Sequence, residues 1–83
     1  MTLDHLPRGK SAIITSVRWD DLAPEEGRRL RALGIDEGTS ISIAHRGVFA
    51  GADPIAVTIG RMTVAMRRVH AMAMTIEVEG SAV

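Results

Sequence analysis

The sequence predicts a mainly β fold, a small barrel of about five short strands with one inserted helix at about residues 22–33. Two observations carry this. Glycine and proline recur at intervals of roughly ten residues, the rhythm of short strands joined by tight turns. Between them, apolar or β-branched residues alternate with polar ones, the two-residue period of a half-buried strand.

Each element has its own signal. Residues 11–19 (SAIITSVRW) are β-branched and apolar and form a first strand. Its alternation puts Ala12, Ile14 and Ser16 on one face and Ile13, Thr15, Val17 and Trp19 on the other. Residues 22–33 (LAPEEGRRLRAL) carry helix signals at both ends. Asp20 or Asp21 can cap the start, and Pro24 suits the first turn, where its missing N–H costs nothing. Glu25 and Glu26 complement the positive end of the helix dipole, and Arg28, Arg29 and Arg31 the negative end. Glu25 and Arg29 form an i,i+4 pair. Leu22, Leu30 and Leu33 mark the apolar stripe, and Gly34 suits the left-handed residue that ends a helix. Gly27 costs about 1 kcal/mol in a helix interior relative to Ala, so it predicts a short helix or a close contact at its backbone.

The other strands follow. Residues 39–46 alternate through Ile41 and Ile43, residues 54–60 through Ile55, Val57 and Ile59, and residues 61–67 through Met62, Val64 and Met66. Gly60-Arg61 is a tight hairpin signal. Residues 68–72 predict one helical turn, and 73–79 a last strand with Met74, Ile76 and Val78 inward. The methionines read as mostly inward, flexible core filler. Five short strands with few apolar residues each cannot bury both faces of a flat sheet, but a small barrel hides one face and most edges. An SH3-like barrel is the first choice and an OB-fold the second, with the helix across an open side.

Composition sets the other bounds. The chain has 83 residues, enough for one domain (1–83), and is 46% hydrophobic and 24% charged, as in ordinary globular domains. Ten Lys plus Arg balance ten Asp plus Glu, which speaks against nucleic acid as a partner. With no Tyr, one Trp and one Phe, base-stacking platforms are nearly absent. The lack of Cys excludes disulfides, thiolate nucleophiles and Cys-based metal sites, and suits a reducing compartment. The polar start MTLDHLPRGK is no signal peptide, and no apolar run reaches the length of about 20 residues that spans a membrane. A cytoplasmic location is expected, with membrane contact only through a partner. Self-association through a leftover apolar patch is also open.

The order of signals resembles one family. It runs Leu3-x-x-Leu6-Pro7-x-Gly9, Ala12-x-Ile14, then Arg29-Leu30-x-x-Leu33-Gly34-Ile35-x-x-Gly38-Thr39-x-Ile41. Asp53-Pro54-Ile55, Gly60, Ala65-Met66-Arg67 and Ala71-x-x-Met74-x-Ile76-x-Val78 follow. Together, over residues 3–79, these resemble the FeoA family of small proteins associated with bacterial ferrous-iron uptake. Met66, His70 and Met74 depart from the usual residues, and the loop before Asp53 is longer by Ala52. The resemblance implies an SH3-like barrel without enzymatic activity. The implied partner is the cytoplasmic GTP-binding portion of the FeoB transporter. The same fold occurs in the C-terminal domain of iron-dependent repressors, so a regulatory module is the alternative, and a metal-binding chaperone is another.

No nucleophile–base pair and no Walker-type loop is present; Gly9-Lys10-Ser11 lacks the preceding glycine, because Asp4 stands there. No enzyme and no cofactor is expected. His5, His45 and His70 are the candidates for a metal, but none has ligand spacing with another, so exposed or satisfied histidines are the favoured reading. For a docking surface the candidates are Trp19, Arg28, Arg31 and Phe49. The arginines are equally explained by the helix dipole. Trp19 reads as a lid packed against the helix, and Phe49 as a loop anchor.

Overall fold

The computed structural model describes residues 1–46 and 53–79, with the side chains of His45 and Arg46 outside the described set. Five strands carry the fold: β1 (Ser11–Val17), β2 (Ser40–Arg46), β3 (Ile55–Ile59), β4 (Met62–Met66) and β5 (Met74–Val78). The helix α1 (Pro24–Ala32) lies between β1 and β2, and a single turn, α2 (Arg68–Ala71), joins β4 to β5. All neighbouring strands are antiparallel, in the order β4-β3-β2-β1-β5. This is a small SH3-like barrel, as expected, although no ladder joins β4 to β5 among the described residues.

The core is aliphatic. Ala12, Ile14, Ile41, Ile43, Ile55, Val57, Val64, Met66, Met74 and Ile76 line the inner face of the sheet. Two strands depart from simple alternation. The β1–β5 register shifts between Ile14 and Ser16, so Val17 is buried and Ser16 is exposed. The expected faces therefore hold only to Ile14. A bulge adds one residue on one strand and re-aims the side chains beyond it. β2 shifts likewise between Ile43 and His45. Bulges bend the strand that carries them, which helps so short a sheet wrap its own core.

The methionine reading needs correction. Met66 and Met74 are buried, but Met62, Met72 and Met1 are 39%, 47% and 61% exposed. Met62 sits at the mouth of the Gly60-Arg61 hairpin, Met72 follows α2, and Met1 lies at the chain start, so none has core on both sides.

The chain start contributes more than its polarity suggests. A 3₁₀ turn over Leu3–His5 buries Leu3 and Leu6 completely. Burying each stabilises the fold by about 1.5–3 kcal/mol. Thr2 bridges to Thr75, and Ile76 N–H donates to Met1 C=O, so the start also covers part of the outer edge of β5.

α1 begins differently from expectation. Neither Asp20 nor Asp21 caps it; the N-cap is Ala23, without a side-chain bond, and Pro24 opens the helix. The aspartates belong to a separate 3₁₀ turn, Trp19–Asp21, where Asp21 is held by Arg18 at 2.8 Å. The helix end follows the sequence signal closely. Ile35 N–H donates to Leu30 C=O and Gly34 N–H to Arg31 C=O, with Gly34 at φ 97°. These are the two bonds of a Schellman ending, whose accompanying apolar contact joins Leu30 to Ile35. Both residues are fully buried, so the ending also fastens α1 to the barrel.

Candidate docking surface

Trp19 is positioned from two sides. The 3₁₀ turn after β1 lifts it away from the sheet, and α1 receives it at Gly27. The ring lies against the helix at Gly27, where a Cβ would stand 3.5 Å from the indole Cε3, an ordinary contact distance, so a methyl would fit but a larger side chain would compete with the ring. From the outside, the Arg31 guanidinium covers the ring at 4.1 Å from its centroid. Stacked cation–π contacts of this kind contribute about 0.5–1 kcal/mol at exposed sites. Trp19 is half-buried and packed on the core, which agrees with its reading as a lid. Its Nε1 is buried without a hydrogen-bond partner among the described residues.

Beside this platform one ion pair, Arg18 with Asp21, fixes the turn. Arg18 donates from Nε to Asp21 and from Nη2 to the Met72 carbonyl at 2.7 Å, tying the turn to the end of α2. Arg18, Trp19, Asp20 and Asp21 border a shallow hollow of about 410 Å³. Arg28 and Arg31 are exposed on α1. Arg31 covers Trp19, and Arg28 stands three residues before Arg31 on the same helix. Phe49 lies outside the described residues.

A second cleft opens on the other side of α1. It measures about 540 Å³ and is lined by Glu25, Glu26, Arg29, Ala65, Arg67 and His70, among others. Arg29 grips Glu26 with two nitrogens, at 3.1 and 2.8 Å. The acid partner is Glu26 at i,i+3, not Glu25 at i,i+4 as the spacing suggested. This bond from Arg29 holds the Glu26 carboxyl below its usual range. His70 Nδ1 approaches the same carboxylate at 3.3 Å. That cluster was not read from the sequence, which paired Arg29 with Glu25 instead.

The three histidines have separate surroundings. His5 is exposed beside Asp4 at 3.4 Å, whereas His70 is mostly buried against Glu26. The His45 side chain is outside the described set. Among the described residues, no three His, Cys, Asp or Glu side chains are grouped to hold a metal ion. Among these residues, no helix is long and apolar enough to cross a membrane.

Fold and surface together define a small SH3-like module with an aromatic-and-arginine platform and a charged cleft. The profile of the FeoA domain matches residues 1–79, and the chain belongs to the FeoA family. A search of curated proteins gives no match. Solved structures agree with the assignment. FeoA from Chlorobium tepidum is 30% identical with a TM-score of 0.85, over 100% of this chain and 74% of that one. FeoA from Stenotrophomonas maltophilia, solved with zinc, is 33% identical with a TM-score of 0.73, over 93% of this chain and 89% of that one. That protein is described as a prokaryotic SH3-domain protein and candidate activating factor for ferrous-iron transport. Iron(II) transport protein A from Clostridium thermocellum is 28% identical with a TM-score of 0.82 over 96% of this chain. The present chain spans 46% of its length. A manganese-dependent transcriptional repressor, 23% identical with a TM-score of 0.74, shares the fold; the match covers 94% of this chain and 40% of that one.

Proposed function

We propose that this protein is a non-enzymatic accessory factor of bacterial ferrous-iron uptake that docks in the cytoplasm on the GTP-binding portion of a FeoB-type transporter. Membership of the FeoA family carries the reading. The docking face is Trp19, Arg28 and Arg31, together with Phe49, which follows β2 in the sequence. A rigid aromatic braced by arginine is the kind of anchor that concentrates binding energy in protein interfaces. Trp19 is braced by Gly27 below and Arg31 above, so it loses little side-chain freedom on binding. The exposed Arg28 and Arg31 suit an acidic face on the transporter.

Docking biases the transporter's conformation or its nucleotide cycle. The test is binding of the purified protein to the transporter's GTP-binding domain. The double variant Phe49→Ala, Arg28→Glu should weaken binding at least tenfold, the loss expected of one anchor and one reversed charge. Unchanged binding by a folded double variant would remove this face from the account.

A further inference from the structure

The outer edge of β4 has features that the docking face above does not use. β4 ends the sheet and, among the described residues, pairs only with β3. The pairing runs over five consecutive residues, Ile55↔Met66 to Ile59↔Met62, with no shift of register. The strand reads Met-Thr-Val-Ala-Met and holds no charge, proline or glycine. Edge strands are ordinarily protected by such residues or by bulges, because an open row of N–H and C=O groups invites another strand. Here the charges stand just outside, as Arg61 before the strand and Arg67 after it. Both are exposed. Neither forms an ion pair among the described residues, although Arg67 lies close enough to Glu26 to help keep that carboxyl ionised. Beside the strand, Ala65 and Arg67 open into the 540 Å³ cleft bordered by α1, which leaves room along this side.

We propose that the β4 edge takes up an extended segment of a partner protein as an added antiparallel strand, with acidic residues six positions apart at the ends of an uncharged β-forming stretch. Main-chain bonds supply affinity in such strand addition, and side chains at fixed positions supply specificity. Charge decides the occupant. In the full-overlap antiparallel register of two copies, centred on Val64, Arg61 of each copy stands opposite Arg67 of the other. Like charges directly opposite destabilise a strand pair. The same two arginines attract a partner strand with Asp or Glu at those positions. This second contact is independent of the Trp19 face.

The test uses the intact protein, isotope-labelled, and a capped synthetic peptide, Asp-Thr-Val-Thr-Val-Thr-Asp. Amide shifts should concentrate in Met62–Met66, and the β4 amides that do not donate to β3 should become protected from hydrogen exchange. A peptide with Lys in place of both Asp should bind about tenfold more weakly, from two cross-strand pairs changed from attraction to repulsion. The variant Arg61→Glu, Arg67→Glu, checked for an intact amide spectrum, should reverse that preference. Shifts confined to other elements, equal binding of both peptides, or no reversal in the variant would each overturn the proposal. Concentration-dependent β4 shifts without peptide would assign the edge to a second copy and overturn the chosen occupant.

Discussion

Gly27 offers the sharpest test of how Trp19 is held. It lies inside α1, where glycine is about 1 kcal/mol less favourable than alanine. Its backbone is not in the left-handed region, so alanine meets no conformational strain. The added methyl would lie 3.5 Å from Cε3 and 3.9 Å from Cζ3 of Trp19, ordinary contact distances. No atom must move, and the new contacts add a few tenths of a kcal/mol of dispersion. Gly27→Ala should therefore stabilise the protein by about 1 kcal/mol. In a domain of this size that raises Tm by roughly 4–8 °C. Thermal and urea unfolding measure it, and the single Trp reports locally by fluorescence. The emission maximum should stay where it is. A destabilised variant, or a red-shifted one, would show that the ring sits closer to the helix than the structure places it. Gly27→Leu supplies the contrast, because its branched side chain needs the volume the indole fills. It should expel Trp19, shift emission to the red and weaken docking.

Three further outcomes follow. Gly34→Ala should have the opposite sign to Gly27→Ala: nothing lies within 4 Å of the added Cβ, yet φ is +97°. Its cost of about 1–2 kcal/mol is backbone strain alone, measurable as a lower urea midpoint. Leu30→Ala should cost about 2–5 kcal/mol in urea unfolding, because Leu30 joins the helix ending to the core and is fully buried. Glu26 supplies a pH dependence. Arg29 lowers its folded-state pKa, so its contribution is present above the unfolded carboxyl value of about 4.3 and is lost as pH falls through the folded value. Wild type should exceed Glu26→Gln in stability at pH 7 by about 0.5–1 kcal/mol, and the gap should close in acid. A gap that persists at pH 2 would assign it to packing instead.

Much of the fold is legible because local and tertiary demands agree. Leu30, Leu33, Gly34 and Ile35 read as a helix ending, and they also dock the helix, so the pattern serves both levels. The strands through Ile41, Val57, Val64 and Ile76 alternate because one face meets the core. What fails is whatever depends on a distant partner. The bulge between Ile14 and Ser16 comes from pairing with β5, so simple alternation misplaced Val17 and Ser16. Asp21 looked like a helix cap, but Arg18 claims it, and Arg18 is itself fixed by Met72 from the far end of the chain. Of the surface, the sequence pointed to Trp19 and correctly suggested a close approach at Gly27. It offered no sign that Arg31 would cover the ring. The meeting of Glu26 with His70 depends wholly on the fold, since nothing in the spacing of two such distant residues suggests it.

Docking is tested by an amide-shift titration of the labelled protein with the GTP-binding domain of the ferrous-iron transporter from the same source. Docking through the Trp19 face should give localised shifts over residues 19–31, with the Trp19 indole signal among the most affected, and those shifts should be lost in Trp19→Ala. No shifts at high concentration, or shifts that survive Trp19→Ala unchanged, would contradict it.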